Sequence, residues 1–407
     1  MCQVLVVFQV VGQFKPQVHK IHIYRIQYMK LNITLFKSHV QYNEYIENIK
    51  FNNVSYCDNE NEVHYYIKID FSKRYLTIVS LEDNNTIGWK AADSSTIKTI
   101  SISTDEGTTW TEKTSSTSGT TLATLSSGQK MLVKGSNTAY GGTSSRYNYF
   151  TSTGNFNVEG NIMSLIYGDN FIGQTTLDSV GNNFKYLFNN CIKLIFVNNL
   201  IIPATTLANS CYRNMFEGCT SLTNAPELPA TILANYCYDN MFRGCTSLTS
   251  APELPATTLT DWCYQCMFYG CISLTKAPDL PVTTLAHGCC QNMFRGCTLL
   301  TEASELPATT LATYCYYGMF AGCTSLTTAP ELPATTLVSY CYYSMFDSCT
   351  SLNYIKCLAT DISASNCTKN WVTNITGIGT FIKANGMTWI TGVNGIPSRW
   401  TVQTASA

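Results

Sequence analysis

A chain of 407 residues with 25 Lys plus Arg against 26 Asp plus Glu, and a formal net charge of -1, offers no basic footprint for nucleic acid or an anionic bilayer. Charged residues make up only 13 %, so the wetted surface is built from Ser, Thr, Asn and Tyr, which suits a secreted or surface-displayed protein better than a cytosolic enzyme. The length exceeds a single compact core and predicts two or three structural units, unless a repeat array lengthens the chain without enlarging the core.

Residues 1–14 contain the apolar run VLVVFQVV, but no basic segment precedes it and no small-residue cleavage site follows, so no signal peptide is expected. No stretch reaches the roughly 18 to 20 apolar residues of a bilayer span. Residues 1–74 read as an N-terminal extension, β-rich or partly disordered, with Val63, Tyr65, Ile67, Ile69 and Phe71 alternating onto one face.

From 75 to 165 short β patterns (YLTIVSL, TIKTISIS, KMLVKG, NIMSLIY) alternate with Ser, Thr, Gly and Asn, predicting a small all-β, sandwich-like domain. Within it Ser103, Asp105, Gly107, Thr109 and Trp110 spell S-x-D-x-G-x-T-W. That pattern resembles the Asp-box seen in sialidase-like propellers, in which the Asp serves turn amides and the Trp packs beneath. A single copy without catalytic arginines is expected to be a structural hairpin.

From 166 to 377 the text repeats. Pro203, Pro229, Pro255, Pro281, Pro307 and Pro333 are each 26 residues apart, in the unit LPATTLxxxCYxxMFxGCTSLTxAPE. Two cysteine columns keep step, Cys211, Cys237, Cys263, Cys289, Cys315 and Cys341 in one and Cys219, Cys245, Cys271, Cys297, Cys323 and Cys349 in the other. Phe188, Cys191 and Leu194 mark a degenerate copy upstream; Cys367 and Trp371 mark one downstream. On a helical wheel, residues 233–245 place Leu233, Ala234, Cys237, Tyr238, Met241, Phe242 and Cys245 on one side, with Asn235, Tyr236, Asp239, Asn240 and Arg243 on the other. This predicts an amphipathic helix of about three turns. In CTSLTSAPELP the prolines forbid helix and leave room for a short strand. The expected architecture is therefore an α/β leucine-rich-repeat solenoid, with one short strand and one short helix per 26-residue coil and about seven to eight coils. Residues 378–407 read as its C-terminal capping segment.

The core Met215-Phe216-Glu217-Gly218-Cys219-Thr220-Ser221-Leu222 and its copies resemble the A-F-x-G-C-x-x-L core of the BspA-like leucine-rich repeats of bacterial, phage and some protist surface proteins. The likeness covers about half the chain and departs from the family's commoner unit in coil length and in the second cysteine column. It implies adhesion, through recognition of a host surface protein or a glycan, with an extracellular, cell-surface or virion-surface location. Other readings are a structural or receptor-binding component of a phage tail and a carbohydrate-active accessory protein.

Catalytic and cofactor chemistry is not expected. Cys263 and Cys266 form C-x-x-C, but Cys263 belongs to a column and Cys266 replaces the Asn of positions 214, 240 and 292, so metal or redox work is a chance overlay. Cys290 likewise replaces a column tyrosine. The cysteine columns read as small buried thiols. Glu227, Glu253, Asp279, Glu305 and Glu331 are single carboxylates at coil spacing, too few for calcium and suited to a solvated rim. Five histidines suggest no triad, and there is no phosphate-binding glycine loop. What varies from copy to copy is the polar side: Asn235 and Tyr236 become Asp261 and Trp262, then His287 and Gly288, then Thr313 and Tyr314. Tyr236, Trp262, Tyr314, Tyr317, Tyr340 and Tyr343 are accordingly the candidate ligand-binding residues, because Tyr and Trp supply contact area at low entropic cost.

Overall fold

The structure, a computed structural model, describes residues 70–142, 146–177 and 181–406. The apolar run in 1–14 and the alternation over 63–69 lie outside the described residues. The chain divides into two compact units, Met1–Phe71 and Ser72–Ala407, and every described strand belongs to the second.

Ten strands open this unit: β1 (Leu76–Ser80), β2 (Asn85–Ala91), β3 (Thr99–Ser103), β4 (Thr111–Thr114), β5 (Thr120–Leu125), β6 (Lys130–Lys134), β7 (Asn148–Ser152), β8 (Phe156–Asn161), then, after the short helix α1 (Ser164–Tyr167), β9 (Leu194–Phe196) and β10 (Leu200–Ile201). They form a seven-stranded sheet of order β10-β8-β1-β6-β3-β4, with β9 also on β8, and a three-stranded sheet β5-β2-β7. Alternation dictates which face is inward: in β2, Asn85, Ile87, Trp89 and Ala91 are buried and the residues between them are half-buried. The S-x-D-x-G-x-T-W segment closes the β3–β4 hairpin. There Asp105 accepts from the Thr109 amide (2.9 Å) and Ser103 Oγ accepts from the Gly107 amide (2.9 Å). The Ser103 hydroxyl, which donates to the Asp105 carboxylate at 2.7 Å, together with the hydroxyl and amide of Thr109, holds the Asp105 carboxyl down at about 2.

The repeat region does not form the expected leucine-rich-repeat solenoid. Among the described residues strands take up 23 % and helix 4 %, in three sheets, and between Ile201 and Tyr354 there is neither helix nor strand, only isolated bridges such as Thr206↔Ile232 and Thr284↔Thr310. The span expected to be helical is a run of linked turns. Tyr236, Asn240 and Gly244 have φ of 59°, 56° and 71°, so every fourth residue is left-handed and an α-helix cannot form. The amides then alternate. Those of Cys237, Asp239, Met241, Arg243 and Cys245 donate three residues back, while those of Tyr236, Tyr238, Asn240, Phe242 and Gly244 donate to Asp261, Cys263, Gln265, Met267 and Tyr269 of the following repeat. A helix would spend these donors internally; here half of them bind one repeat to the next.

The wheel misled because a four-residue period drifts only about 40° per turn from the helical one, and both periods put Cys237, Met241 and Cys245 inside. Of the side chains expected inside, Leu233 is buried and Cys237, Tyr238, Met241, Phe242 and Cys245 are at most 1 % exposed, whereas Ala234 is half-buried and Asp239, expected on the polar side, is fully buried. Stacking in register lines up like residues. Phe150, Phe188, Phe216, Phe242, Phe268, Phe294, Phe320 and Phe346 form a ladder with centroids 5.3 to 5.9 Å apart. The ladder begins in β7, so the sheets and the repeats share one core. The second cysteine column also has a structural task. Cys245 Sγ donates to the Phe216 carbonyl at 3.1 Å, and Cys271, Cys297, Cys323 and Cys349 repeat the contact on Phe242, Phe268, Phe294 and Phe320. A parallel sheet of β11 (Tyr354–Cys357), β12 (Thr380–Lys383) and β13 (Thr401–Thr404) closes the C-terminal end, around Trp371, Phe381 and Trp389.

Candidate recognition surface

The outward turn of each repeat carries a residue at its first left-handed position. The column runs Ser210, Tyr236, Trp262, Gly288, Tyr314, Tyr340 and Asn366, with φ between 55° and 61° throughout. Glycine and asparagine take up this conformation readily, whereas a bulky side chain pays about 1 to 2 kcal/mol for it. Four of these seven positions nevertheless bear Tyr or Trp. Folding alone would favour the residues seen at Gly288 and Asn366.

The rings stack along the column. Tyr236 and Trp262 are 6.2 Å apart at 8°, and Tyr314 and Tyr340 are 4.7 Å apart at 16°. Between them the ladder lacks a ring at Gly288, where an added Cβ would come within 2.2 Å of the Trp262 ring. The indole leans into that space, and His287 bridges the interruption edge-on, 4.8 Å from Trp262 and 5.6 Å from Tyr314. Tyr317 and Tyr343, from a second column, stack at 4.7 Å and 3°. They tilt against Tyr314 and Tyr340 at 5.9 Å each, making a block of four tyrosines. All six candidate residues are half-buried and belong to one continuous aromatic row. Its interior faces are covered by neighbouring rings, so the row presents mainly ring edges and polar tips.

Several members were not singled out from the sequence. His287 joins the row by spanning its interruption. Arg213 places its guanidinium 5.2 Å from the Tyr236 centroid, and Arg243 lies 5.0 Å from Tyr269. Toward the sheets, Tyr186 has φ of 63°, stacks on Tyr147 at 4.1 Å, and Tyr147 touches Tyr149 at 5.5 Å. Tyr186 was hidden by the two extra residues in its copy, and Tyr147 and Tyr149 by lying in another part of the chain.

A polar cluster separates these tyrosines from the row. Asp239 is fully buried with its carboxylate 2.8 Å from Arg213 Nε. Burial outweighs the attraction of Arg213 and raises this carboxyl to about 7. Lys185 is buried, donates to the Gly142 carbonyl at 2.8 Å, and is lowered to about 8 by desolvation and by Arg213. Glu217 accepts from Asn214 at 2.6 Å and lies 3.9 Å from Arg243.

The remaining candidates are dispersed. Cys263 is buried in its column, while Cys266 sits half-buried on an outward turn at φ 51°, its thiol raised to about 12 by burial and by Asp239. A thiol so poised is a poor nucleophile. Glu227, Glu253, Asp279, Glu305 and Glu331 are all exposed, and Glu331 pairs with Lys356 at 2.9 Å. Among the described residues no group of three or more His, Cys, Asp or Glu is placed to hold a metal ion, and no helix is long and apolar enough to cross a membrane. No family model, curated protein or solved structure matches the chain.

Proposed function

We propose that this chain is a non-enzymatic binding protein of the cell or virion surface, which recognises a protein partner through the aromatic row from Tyr236 to Tyr343. The observation that carries the reading is the placement of bulky rings at left-handed positions. The turn gains nothing from a ring there, and such local strain concentrates where a surface is used. A protein partner is favoured over a sugar because pyranose rings bind aromatic faces, and the interior faces of this row are occupied by one another. Edges, phenol hydroxyls and a flanking arginine cluster match the chemistry of protein recognition surfaces, where Tyr, Trp and Arg dominate. The likeness of the Met-Phe-x-Gly-Cys-x-x-Leu motif to that of BspA-like surface proteins supports the extracellular placement.

The test is retention of the full chain on immobilised matrix proteins, mucin and a glycan array, beside the triple variant Tyr314→Ala, Tyr340→Ala, Tyr343→Ala. We expect retention on a protein, weakened at least about tenfold, or roughly 1.4 kcal/mol, in the variant. Retention on no surface, or on glycans alone, removes the reading.

A structural role is favoured by the same stacking, since rings that cover one another also tie neighbouring repeats together. It is distinguished by thermal unfolding: a variant that loses melting temperature and keeps its binding has a ladder serving only cohesion.

A further inference from the structure

Arg213 makes two contacts at once. Its guanidinium lies 5.2 Å from the Tyr236 ring, which is the first ring of the row, and its Nε stands 2.8 Å from a carboxylate oxygen of Asp239 in the next repeat. The side chain of Asp239 is wholly inaccessible, whereas that of Arg213 is 33 % exposed. The carboxylate is therefore the fixed half of the pair and the guanidinium the half able to leave. The other carboxylate oxygen accepts from Asn240.

The charged and titratable groups around Asp239 come from four successive stretches of chain. Lys185 and Tyr186 approach from the copy before Arg213, Arg213 and Glu217 from the preceding repeat, Arg243 from its own, and Cys266 from the following one. Lys185 is held by the Gly142 carbonyl and Glu217 by Asn214. Arg213 is thus the cation in direct ionic contact with the carboxylate.

We infer that the Arg213–Asp239 pair is an acid-operated clasp on the first ring of the aromatic row, closed while Asp239 is ionised and open once it is protonated. With the carboxylate charged, Arg213 is drawn down over Tyr236 and covers its outer side. A neutral Asp239 no longer holds the guanidinium by charge, and Arg213, free to extend into water, uncovers the ring. The raised carboxyl of Asp239, at about 7, places the transition in mildly acidic to neutral solution. The consequence for binding, a recognition surface remodelled by acid, rests on the row being the ligand face; the clasp itself does not.

The test is hydroxyl-radical footprinting of the full chain with mass-spectrometric readout at Tyr236, at pH 8 and pH 5.5. It is run in a His287→Gln background, which takes the imidazole beside Trp262 out of the readout. Oxidation of Tyr236 is expected to rise at least threefold on acidification. In Asp239→Asn and in Arg213→Gln it is expected to be high at both pH values. Either variant suffices should the other fail to fold, as judged by circular dichroism. Protection that is the same at both pH values in the parent, or an undiminished pH step in a folded variant, overturns the clasp. Retention on the protein partner at the same two pH values is read separately. A footprint step without a change in retention keeps the clasp and severs it from the ligand face.

Discussion

Neighbouring tyrosines of one repeat have opposite dependence on their surroundings. Tyr314 stands half-exposed at φ 61°, while Tyr316, two residues on, is 1 % exposed and stacks in the interior against Tyr342 at 6.3 Å. Tyr316→Ala is expected to cost about 3 to 5 kcal/mol, as aromatic truncation in a core does. Tyr314→Gly loses stacking worth about 1 kcal/mol but relieves a left-handed backbone, so its net effect is expected to stay within about 1 kcal/mol. Chemical denaturation of both variants checks the contrast. Asp239 yields a pH dependence of unusual sign. Its carboxyl is raised in the folded chain from 3.8 to about 7, so between these values the folded state holds a proton that the unfolded state has released. Its contribution to stability is present below the unfolded value and is lost as pH rises through the folded one. Between about pH 4 and pH 7 this group is expected to remove on the order of 3 kcal/mol, and Asp239→Asn should flatten that slope in denaturation curves taken across the window.

The unit of this architecture is a run of three turns whose corners are left-handed, and its amides are shared between the turn itself and the neighbouring repeat. Gly244, Gly270, Gly296 and Gly322, all with φ between 71° and 76°, form the third corner, and each would meet its neighbour's backbone at an ordinary contact distance if it carried a Cβ. Space is therefore not the constraint; backbone conformation is. Gly270→Ala is expected to cost about 1 to 2 kcal/mol and to leave the far-UV circular dichroism unchanged and free of the helical double minimum. A helical minimum in the parent would contradict the turn architecture, and a neutral Gly270→Ala would show that this corner tolerates a side chain. The element was partly legible beforehand. Asn240 and Gly244, with their counterparts at Asn214 and Gly218 and at Asn292 and Gly296, recur four apart, and these are the residues that visit the left-handed region. Reading that spacing as helix gave weight to hydrophobic period and too little to turn chemistry.

At the scale of the whole unit, the sheets act as the first layer of the stack. The Phe150 amide in β7 donates to the Leu187 carbonyl at 3.0 Å, Cys191 Sγ donates back to the Phe150 carbonyl at 3.0 Å, and Phe150 stacks on Phe188 at 5.3 Å. Repeats that cannot cover their own apolar side depend on the layer beneath. Phe150→Ala is accordingly expected to cost about 3 to 5 kcal/mol and to speed hydrogen exchange at Phe188 and Phe216, which lie outside the sheet it belongs to. Exchange that accelerates only within β7 and its partners would show that the two regions fold independently.

The sequence by itself determined what is inside and what recurs. Residues such as Cys237, Met241, Phe242 and Cys245 had to be buried, and the 26-residue period had to bring like residues together, because no copy can satisfy its apolar side alone. It also exposed the aromatic candidates, as the positions that differ among otherwise equal copies. Only the tertiary structure decided the local conformation, since whether an amide donates within its own turn or to the next repeat depends on a neighbour far along the chain. The same stacking drew residues from separate segments onto one surface. Tyr147, Tyr186, Arg213 and His287 carry no motif of their own, and the buried charge of Asp239 was set by its surroundings, where the helical wheel had placed it among the solvent-facing residues.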